Sequence, residues 1–290
     1  MADHFGGNWT ITKLRTLNDY LEAYKKIFDK NLKAQSFTTH YIDAFAGKGD
    51  LVFEDSIEGN LFEMEAHYPG SAKIALHIKS PFDHYHFIEK DRSRCQKLEE
   101  LKGQYAWAKD RVHIYNGDCT QELTKILKSF HITKDRAVIF LDPFGMHVEF
   151  DLLKTIAKTK MVDLWILVPH AVGFMRQLQK DGEIIDSVRG KLDRVFGETD
   201  WFEKFYKEYS VENLFGEEET ILIKAVNEKE LIEYYVLRLG EIFHKVAPNP
   251  LILKNTKNIP IFALCFAASN EKGSETAIKI ARHLIEKKHG

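Results

Sequence analysis

Four acidic residues end short apolar runs of the sequence. They are Asp43, Glu89, Asp118 and Asp142. A carboxylate at the end of a buried run is costly to desolvate unless a ligand or hydrogen bonds satisfy it. Four acids in equivalent positions therefore indicate a shared ligand site. Acids also commonly serve as helix N-caps, and this alternative applies most directly to Asp91 and Asp118, since each precedes a predicted helix.

The first of these acids opens a glycine-rich loop, DAFAGKGD at residues 43–50. Its two glycines, Gly47 and Gly49, would let the backbone approach a ligand closely. A triphosphate loop needs lysine after the second glycine, whereas Lys48 precedes it. A dinucleotide loop needs a third glycine three residues after Gly49, and none stands there. S-adenosylmethionine (SAM) has no pyrophosphate and needs close backbone approach together with acids, so the pattern favours SAM.

Each part of SAM has a candidate partner. We expect Asp43 to anchor the amino group. The loop residues predicted to line the cofactor site are Phe45, Ala46, Gly47 and Gly49. Glu89 would bind the ribose hydroxyls, as the homologous acid does in dinucleotide-binding folds. Asp118 would accept a hydrogen bond from the adenine amino group, and Cys119 would lie against the ring.

The fourth acid belongs to the turn FLDPFG, residues 140–145. Methylation of an amine needs oxygens that accept the amine hydrogens, so that the lone pair points at the methyl group. It also benefits from a ring that stacks on a planar target. Asp142, Pro143 and Phe144 are therefore the predicted catalytic residues. Taken alone, Asp-Pro would indicate only an ordinary turn after a strand.

Two histidines are further candidates. His147 follows the Asp-Pro-Phe turn, and His170 follows the fifth apolar run. Each would donate a hydrogen bond or act as a base toward the substrate, or would simply be a polar residue at a strand end. No two histidines show His-x-x-x-His spacing on a helix, and the three cysteines lie far apart as reduced thiols, so no metal site is predicted.

The elements that must position these residues follow from periodicity. Leucines and aromatic residues at three- and four-residue steps predict a helix over Thr12–Lys33. Five buried parallel strands are predicted at residues 40–45, 84–91, 111–118, 137–142 and 162–169. Helical segments separate them, which predicts a doubly wound, Rossmann-like α/β sheet. Ligands of such sheets bind at the carboxyl ends of the strands.

The chain divides into four predicted segments. They are an N-terminal helical segment (1–35), a SAM-binding α/β core (36–172), a helical insertion or cap (173–248) and a C-terminal hairpin and helix that complete the core (249–290). Within the insertion only residues 219–226 are ambiguous between helix and strand.

Composition limits the function. The 290 residues carry a formal net charge of −2, so no global positive field attracts nucleic acid. The charges are uneven, with acids at 217–219 and lysines between 244 and 257. No apolar run is long enough to span a bilayer, and the N-terminus lacks an apolar core with a basic flank. A cytoplasmic protein with no membrane association is predicted.

These motifs resemble those of class I SAM-dependent methyltransferases, and more closely those of the three-Cys-motif partner protein (TcmP) family. The matching segments are YIDAFAGKGD, GSAKIAL, FIEKD, NGDC, FLDPFG and FALCFAASN, between about residues 40 and 270. The resemblance implies a seven-strand sheet with a reversed last strand, and a radical-SAM-like three-Cys-motif protein as partner. Two features depart from related families. The nucleic-acid amine methyltransferases have a second proline before the aromatic residue, and here an acidic insertion at 51–68 follows the glycine loop.

Together the motifs predict a SAM-dependent methyltransferase that acts on an amine of a nucleobase in RNA or DNA. The alternative is a methyltransferase-like partner subunit that binds SAM without transferring a methyl group. Fold resemblance does not separate the two, because function belongs to the site.

Overall fold

The structure is a computed structural model that describes residues 7–54, 65–143, 145–212 and 215–289. The predicted catalytic residue Phe144 lies outside the described residues. So does the middle of the acidic insertion, residues 55–64.

The first half of the chain alternates strands with helices. In chain order the elements are α1 (Asn8–Lys30), β1 (Thr38–Asp43), β2 (Asp50–Glu54), β3 (Glu65–Pro69), α2 (Ser71–His77), β4 (His84–Glu89), α3 (Arg92–Gly103), β5 (Val112–Asn116), α4 (Cys119–Ser129), β6 (Asp135–Leu141), α5 (Phe150–Lys158) and β7 (Val162–Val168). All five predicted parallel strands are present. The predicted first helix ends at Lys30 rather than Lys33, so Leu32 of the expected apolar stripe lies beyond it, exposed.

The second half begins with a π-helical turn at His170–Met175. The elements that follow are α6 (Asp186–Phe196), α7 (Trp201–Phe205), β8 (Tyr206–Glu212), β9 (Glu218–Lys224), α8 (Glu228–Ile242), β10 (Lys245–Val246), β11 (Leu251–Lys254), β12 (Pro260–Ala268) and α9 (Ser274–His289). The segment 173–248, expected to be largely helical, therefore contains a hairpin. The ambiguous residues 219–226 fall mostly in β9, where Thr220, Ile221 and Ile223 are β-branched and favour a strand.

The described strands form one large sheet in the order β10-β12-β7-β6-β1-β4-β5, and β11 pairs with the same edge of β12 as β10. The five strands from β5 to β7 are parallel. β12 runs antiparallel to β7, so a reversed strand lies beside the parallel set. This mostly parallel sheet with flanking helices confirms the predicted fold class.

Burial explains why these runs became strands. Every residue of β7 is buried, because helices cover both faces of the sheet. One apolar cluster packs beneath α4, α5 and α8, and a second packs beneath α1, α2 and α9. Strand order reverses at β1, which has β4 on one side and β6 on the other. The site is expected beside such a reversal.

Among the described residues, no helix combines the length and the apolar character needed to cross a membrane.

Candidate active site

Two adjoining cavities open at the carboxyl ends of β1, β4 and β6. We call the first the loop cavity; it is lined by the glycine loop, the start of α1, the Asp142 turn and Phe262. We call the second the acid cavity; it is lined by Glu89, Asp118, Cys119 and His147. Phe45 and Arg94 line both cavities, so the two adjoin at these side chains, and we call the pair of cavities the cleft.

Of the predicted site residues that the structure describes, most line this cleft and two do not. The predicted residues that line the loop cavity are Phe45, Ala46, Gly47, Gly49, Asp142 and Pro143. Asp43 is fully buried behind the loop, and His170 is fully buried as well. Neither is among the lining residues of the two cavities.

The glycine loop depends on its two glycines. Gly47 has φ of 63° and Gly49 has φ of 89°, conformations that residues with a Cβ rarely adopt. A Cβ on Gly49 would lie 2.9 Å from Leu101, whereas one on Gly47 would meet nothing within 4 Å and would project into open space. Gly47 is therefore the point at which the backbone leaves room for a ligand.

The acidic insertion leaves this loop and returns beside it. β2 pairs antiparallel with β3, and the Gly70 amide then donates to the Gly49 carbonyl at 2.8 Å. A Cβ on Gly70 would lie 2.8 Å from the same oxygen, so only glycine allows this approach. The insertion thus separates the loop from α2 in sequence while Gly70, at the start of α2, remains next to the loop.

Asp43 is held in a site that disfavours its charge. Its Oδ1 accepts a hydrogen bond from the Phe45 amide at 3.3 Å, and its other oxygen lies 3.5 Å from the Tyr41 hydroxyl. Burial raises the pKa of Asp43 to about 7, a hydrogen bond from Ser71 opposes the shift, and the nearby Asp142 adds to it. A cation bound close to Asp43 would favour its ionised form.

Asp142 forms an ion pair that the sequence did not suggest. The Lys13 ammonium, from α1, donates to Asp142 Oδ2 and lies 5.1 Å from the centre of the Trp9 ring. The Lys13 side chain is only 6% exposed, and that of Asp142 is 25% exposed. One signal was available, since Lys13 shares the predicted apolar face of the helix with Leu17.

Glu89 and Asp118 both bind backbone amides. Glu89 accepts from the amide of Gly47 at 3.0 Å and from that of Asp91 at 2.8 Å, so it fastens the glycine loop to the end of β4. Asp118 caps α4 through Oδ1, which accepts from Thr120 at 3.0 Å. Asp91 caps α3 in the same way. Asp91 and Asp118 therefore act as helix N-caps, as the capping alternative predicted. Glu89 and Asp118 nevertheless line the acid cavity.

Cys119 and His147 complete the walls of the acid cavity. Burial raises the pKa of the Cys119 thiol to about 12, so it stays protonated at neutral pH and serves as an apolar wall. Burial lowers the pKa of His147, and Lys191 and Lys90 lower it further. A neutral imidazole can accept a hydrogen bond.

His170 begins the π-helical turn and lies in the interior. Burial lowers its pKa to about 4, and the backbone of Phe262 offsets part of that shift. Among the described residues neither ring nitrogen has a well-formed hydrogen bond. Its predicted contact with substrate would therefore require a rearrangement of the surrounding residues.

Aromatic side chains form the outer wall of the loop cavity. Trp9 of α1 packs on Phe262 of β12, with ring centres 4.8 Å apart and planes inclined by 33°. Leu14 and Leu167 continue this apolar wall. The cavity thus combines apolar rings with one polar pair, Lys13 and Asp142.

Comparisons with known proteins show the fold. No family model and no curated protein matches the sequence. Among solved structures, the Legionella pneumophila protein LPL1258 is 16% identical and has a TM-score of 0.52, covering 98% of this chain and 92% of its own. A putative SAM-dependent methyltransferase of Listeria monocytogenes is 10% identical with a TM-score of 0.39, covering 85% of this chain and 97% of its own. The glycopeptide N-methyltransferase MtfA, solved with SAM, is 10% identical with a TM-score of 0.34, and the match covers 86% of this chain and 93% of MtfA.

Proposed function

We propose that this chain is a SAM-dependent methyltransferase whose acceptor is an amine, and that this amine belongs to a nucleobase of RNA or DNA. The observation that carries the proposal is the convergence of the glycine loop and the Asp142 turn on one cavity, at the reversal point of the sheet. The motif resemblance further supports membership of the TcmP family and a radical-SAM-like three-Cys-motif protein as partner.

The residues of the cleft fit SAM. Open space beside Gly47 would receive the methionine part, and the Asp43 carboxyl close behind the loop would be ionised by the nearby ammonium group. The acid cavity would receive the adenosine part, with Glu89 on the ribose and Asp118 and Cys119 at the adenine. SAM supplies an electrophilic methyl group on a sulfonium.

The Asp142 turn suits an amine acceptor. Asp142 Oδ2 already accepts an N–H donor, the Lys13 ammonium, and the same carboxylate would accept a hydrogen from the target amine. This contact would orient the nitrogen lone pair toward the methyl group. Asp142 would also receive the proton that the amine nitrogen loses on methylation. Pro143 limits the backbone of Asp142 to extended conformations, and the Lys13 contact holds its carboxylate.

The wall made by Trp9 and Phe262 supports a planar acceptor. Bases stack on aromatic rings without a requirement for one particular sequence. This wall supplies rings on the side of the cavity where α1 closes it, and both rings lie within the described residues. The near-neutral net charge of the chain predicts that unaided binding to nucleic acid is weak.

Calorimetry tests the cofactor. We expect SAM and S-adenosylhomocysteine to bind the wild-type chain, NAD not to bind, and a Gly47→Val variant to lose both adenosyl ligands. The control is Gly216→Val, because Gly216 also has a positive φ, 78°, but lies between β8 and β9 and lines neither cavity; this variant should keep its affinity for SAM. Binding of NAD, or unchanged SAM affinity in Gly47→Val, would refute the assignment.

Transfer of a labelled methyl group tests the reaction. Total RNA and total DNA are incubated with labelled SAM and either the wild-type chain or Asp142→Asn. We expect label in nucleic acid with the wild type, and a loss of about 100-fold or more in the variant, because the contact that orients the amine is weakened. SAM binding without any labelled acceptor favours the alternative, a SAM-binding partner subunit.

A further inference from the structure

The β8–β9 hairpin stands apart from the large sheet. Its two strands pair only with each other among the described residues, from Tyr206 opposite Lys224 to Glu212 opposite Glu218. A two-stranded ribbon is marginal by itself and needs support on a face. Directly opposed residues share a face of a ribbon, so the register defines which side chains lie on each face.

One face is supported by the body of the protein at the base of the hairpin. The Tyr206 hydroxyl donates to the Gln179 carbonyl at 2.8 Å, and the Lys224 ammonium donates to the Leu178 carbonyl at 2.9 Å. Leu222 lies so close to Gly182 that a Cβ on this glycine would be 2.4 Å away. We call this side the inner face.

The outer face carries apolar side chains in solvent. Tyr209 lies opposite Ile221, and Val211 and Ile223 are their neighbours on the same face. Tyr209 is 48% exposed, Val211 36% and Ile223 40%. Grouped apolar side chains on a soluble surface often mark an interaction site. We call these four residues the outer patch.

The far end of the hairpin is strongly acidic. Residues 212–219 contain four glutamates and no lysine or arginine, although the whole chain has a net charge of only −2. On the inner face Glu212 lies directly opposite Glu218. Like charges opposed across a strand pair destabilise the pair, so a cation placed between them would stabilise it. The same charges would repel phosphate groups.

We propose that the hairpin binds an extended, basic segment of a partner protein that adds a third strand to the ribbon. Among the described residues no further strand pairs with the outer edges of β8 and β9, although the Lys224 amide at the base already donates to the Lys180 carbonyl, so both edges remain available for strand addition away from the base. A segment that alternates apolar and basic residues would extend the outer patch with its apolar side chains. Its lysines or arginines would then lie on the inner face, beside Glu212 and Glu218. This interaction is independent of the proposed methyl transfer.

Fluorescence anisotropy with defined peptides tests the proposal. The probe is the labelled peptide KVKVKYKVK, compared with EVEVEYEVE and with the block peptide KKKKKVVVY of the same composition as the probe. We expect the alternating basic peptide to bind the wild-type chain about tenfold more tightly than the block peptide, since only it matches both faces. Equal affinity for the two basic peptides would overturn the proposal.

Variants separate the two contributions. Glu212→Gln/Glu218→Gln and Tyr209→Thr/Ile223→Thr should each weaken binding about tenfold, because each removes the groups of one face. The control Glu99→Gln/Glu100→Gln removes two exposed glutamates of α3 and should leave binding unchanged. Loss of binding in the Glu variant alone would indicate attraction between charges only and would refute strand addition.

Hydrogen exchange should slow at the backbone amides of residues 206–212 and 218–224 when the peptide binds.

Other occupants of the hairpin would give different results. If sedimentation instead shows a dimer that Tyr209→Thr/Ile223→Thr dissociates, the outer patch is an interface between two copies and the proposal is wrong. Direct binding of a labelled 20-nucleotide RNA to the wild-type chain that is lost in Tyr209→Thr/Ile223→Thr would likewise refute it.

Discussion

The Lys13–Asp142 pair should show a large coupling in a double-mutant cycle. Asp142→Asn would leave an ammonium that is only 6% exposed without its counter-charge, and we expect a loss of about 3 kcal/mol in the free energy of unfolding. Lys13→Met leaves a carboxylate that is 25% exposed and partly hydrated, so its loss should be about 1–2 kcal/mol. Lys13→Met/Asp142→Asn should lie within about 1 kcal/mol of wild type, because no unpaired charge remains.

Urea unfolding of the four proteins measures this cycle. The expected coupling energy, the sum of the two single losses minus the loss of the double mutant, is about 3–5 kcal/mol. The matched control is Lys97→Met/Glu100→Gln, an exposed pair at 2.9 Å within α3, for which we expect a coupling below about 0.5 kcal/mol. A similarly small coupling for Lys13 and Asp142 would mean that water screens the pair, and would refute our description of this charge as buried.

Three other positions give separate predictions. Burial lowers the pKa of His86 to about 2, so this ring is neutral in the folded protein and protonates on unfolding below about pH 6.5. In urea titrations the free energy of unfolding of the wild type should therefore fall by about 1–2 kcal/mol more than that of His86→Gln between pH 7 and pH 5. For Asp43 the pH dependence of stability has the opposite sign, because its pKa of about 7 in the folded state stabilises the fold at low pH, and this contribution is lost as the pH rises through 7. In urea titrations the stability of Asp43→Asn relative to wild type should therefore increase by about 2 kcal/mol from pH 5 to pH 8. Calorimetry should also show weaker SAM binding by this variant. Gly197→Ala should lose about 2–4 kcal/mol in urea unfolding, because φ is 74° and the new Cβ would lie 2.3 Å from Phe150, whereas Gly240→Ala should gain about 0.5–1 kcal/mol.

The strands were predictable because a buried strand requires a continuous run of apolar residues in the sequence. β7 is apolar at all but one position and buried throughout, and a parallel strand covered on both faces needs such a run. Parallel strands place their carboxyl ends at one edge of the sheet. The grouping of the glycine loop with Glu89 and Asp142 therefore followed from sequence order alone.

Lys13 and the hairpin were not predictable in this way. Lys13 and Asp142 lie 129 positions apart, and the packing of α1 over the strand ends depends on tertiary contacts that no local pattern encodes. In the hairpin, apolar residues alternate against solvent rather than against a core. The apolar run at residues 219–226 is too short for its periodicity to distinguish a strand from a helix. The β8 segment, residues 206–212, was predicted to be helical, and this prediction was wrong because the segment pairs with β9.

The structure also changes the reason for assigning a ligand to the acids. Acids at strand ends were expected to need a ligand to satisfy them, yet Glu89 already accepts hydrogen bonds from two backbone amides. An ionised carboxylate has about four lone-pair positions, so Glu89 can hold the Gly47 amide and still accept ribose hydroxyls. Binding of the adenosine part in the acid cavity would therefore leave the Gly47 contact in place, and the glycine loop would stay fastened to the end of β4 when the acceptor amine meets Asp142.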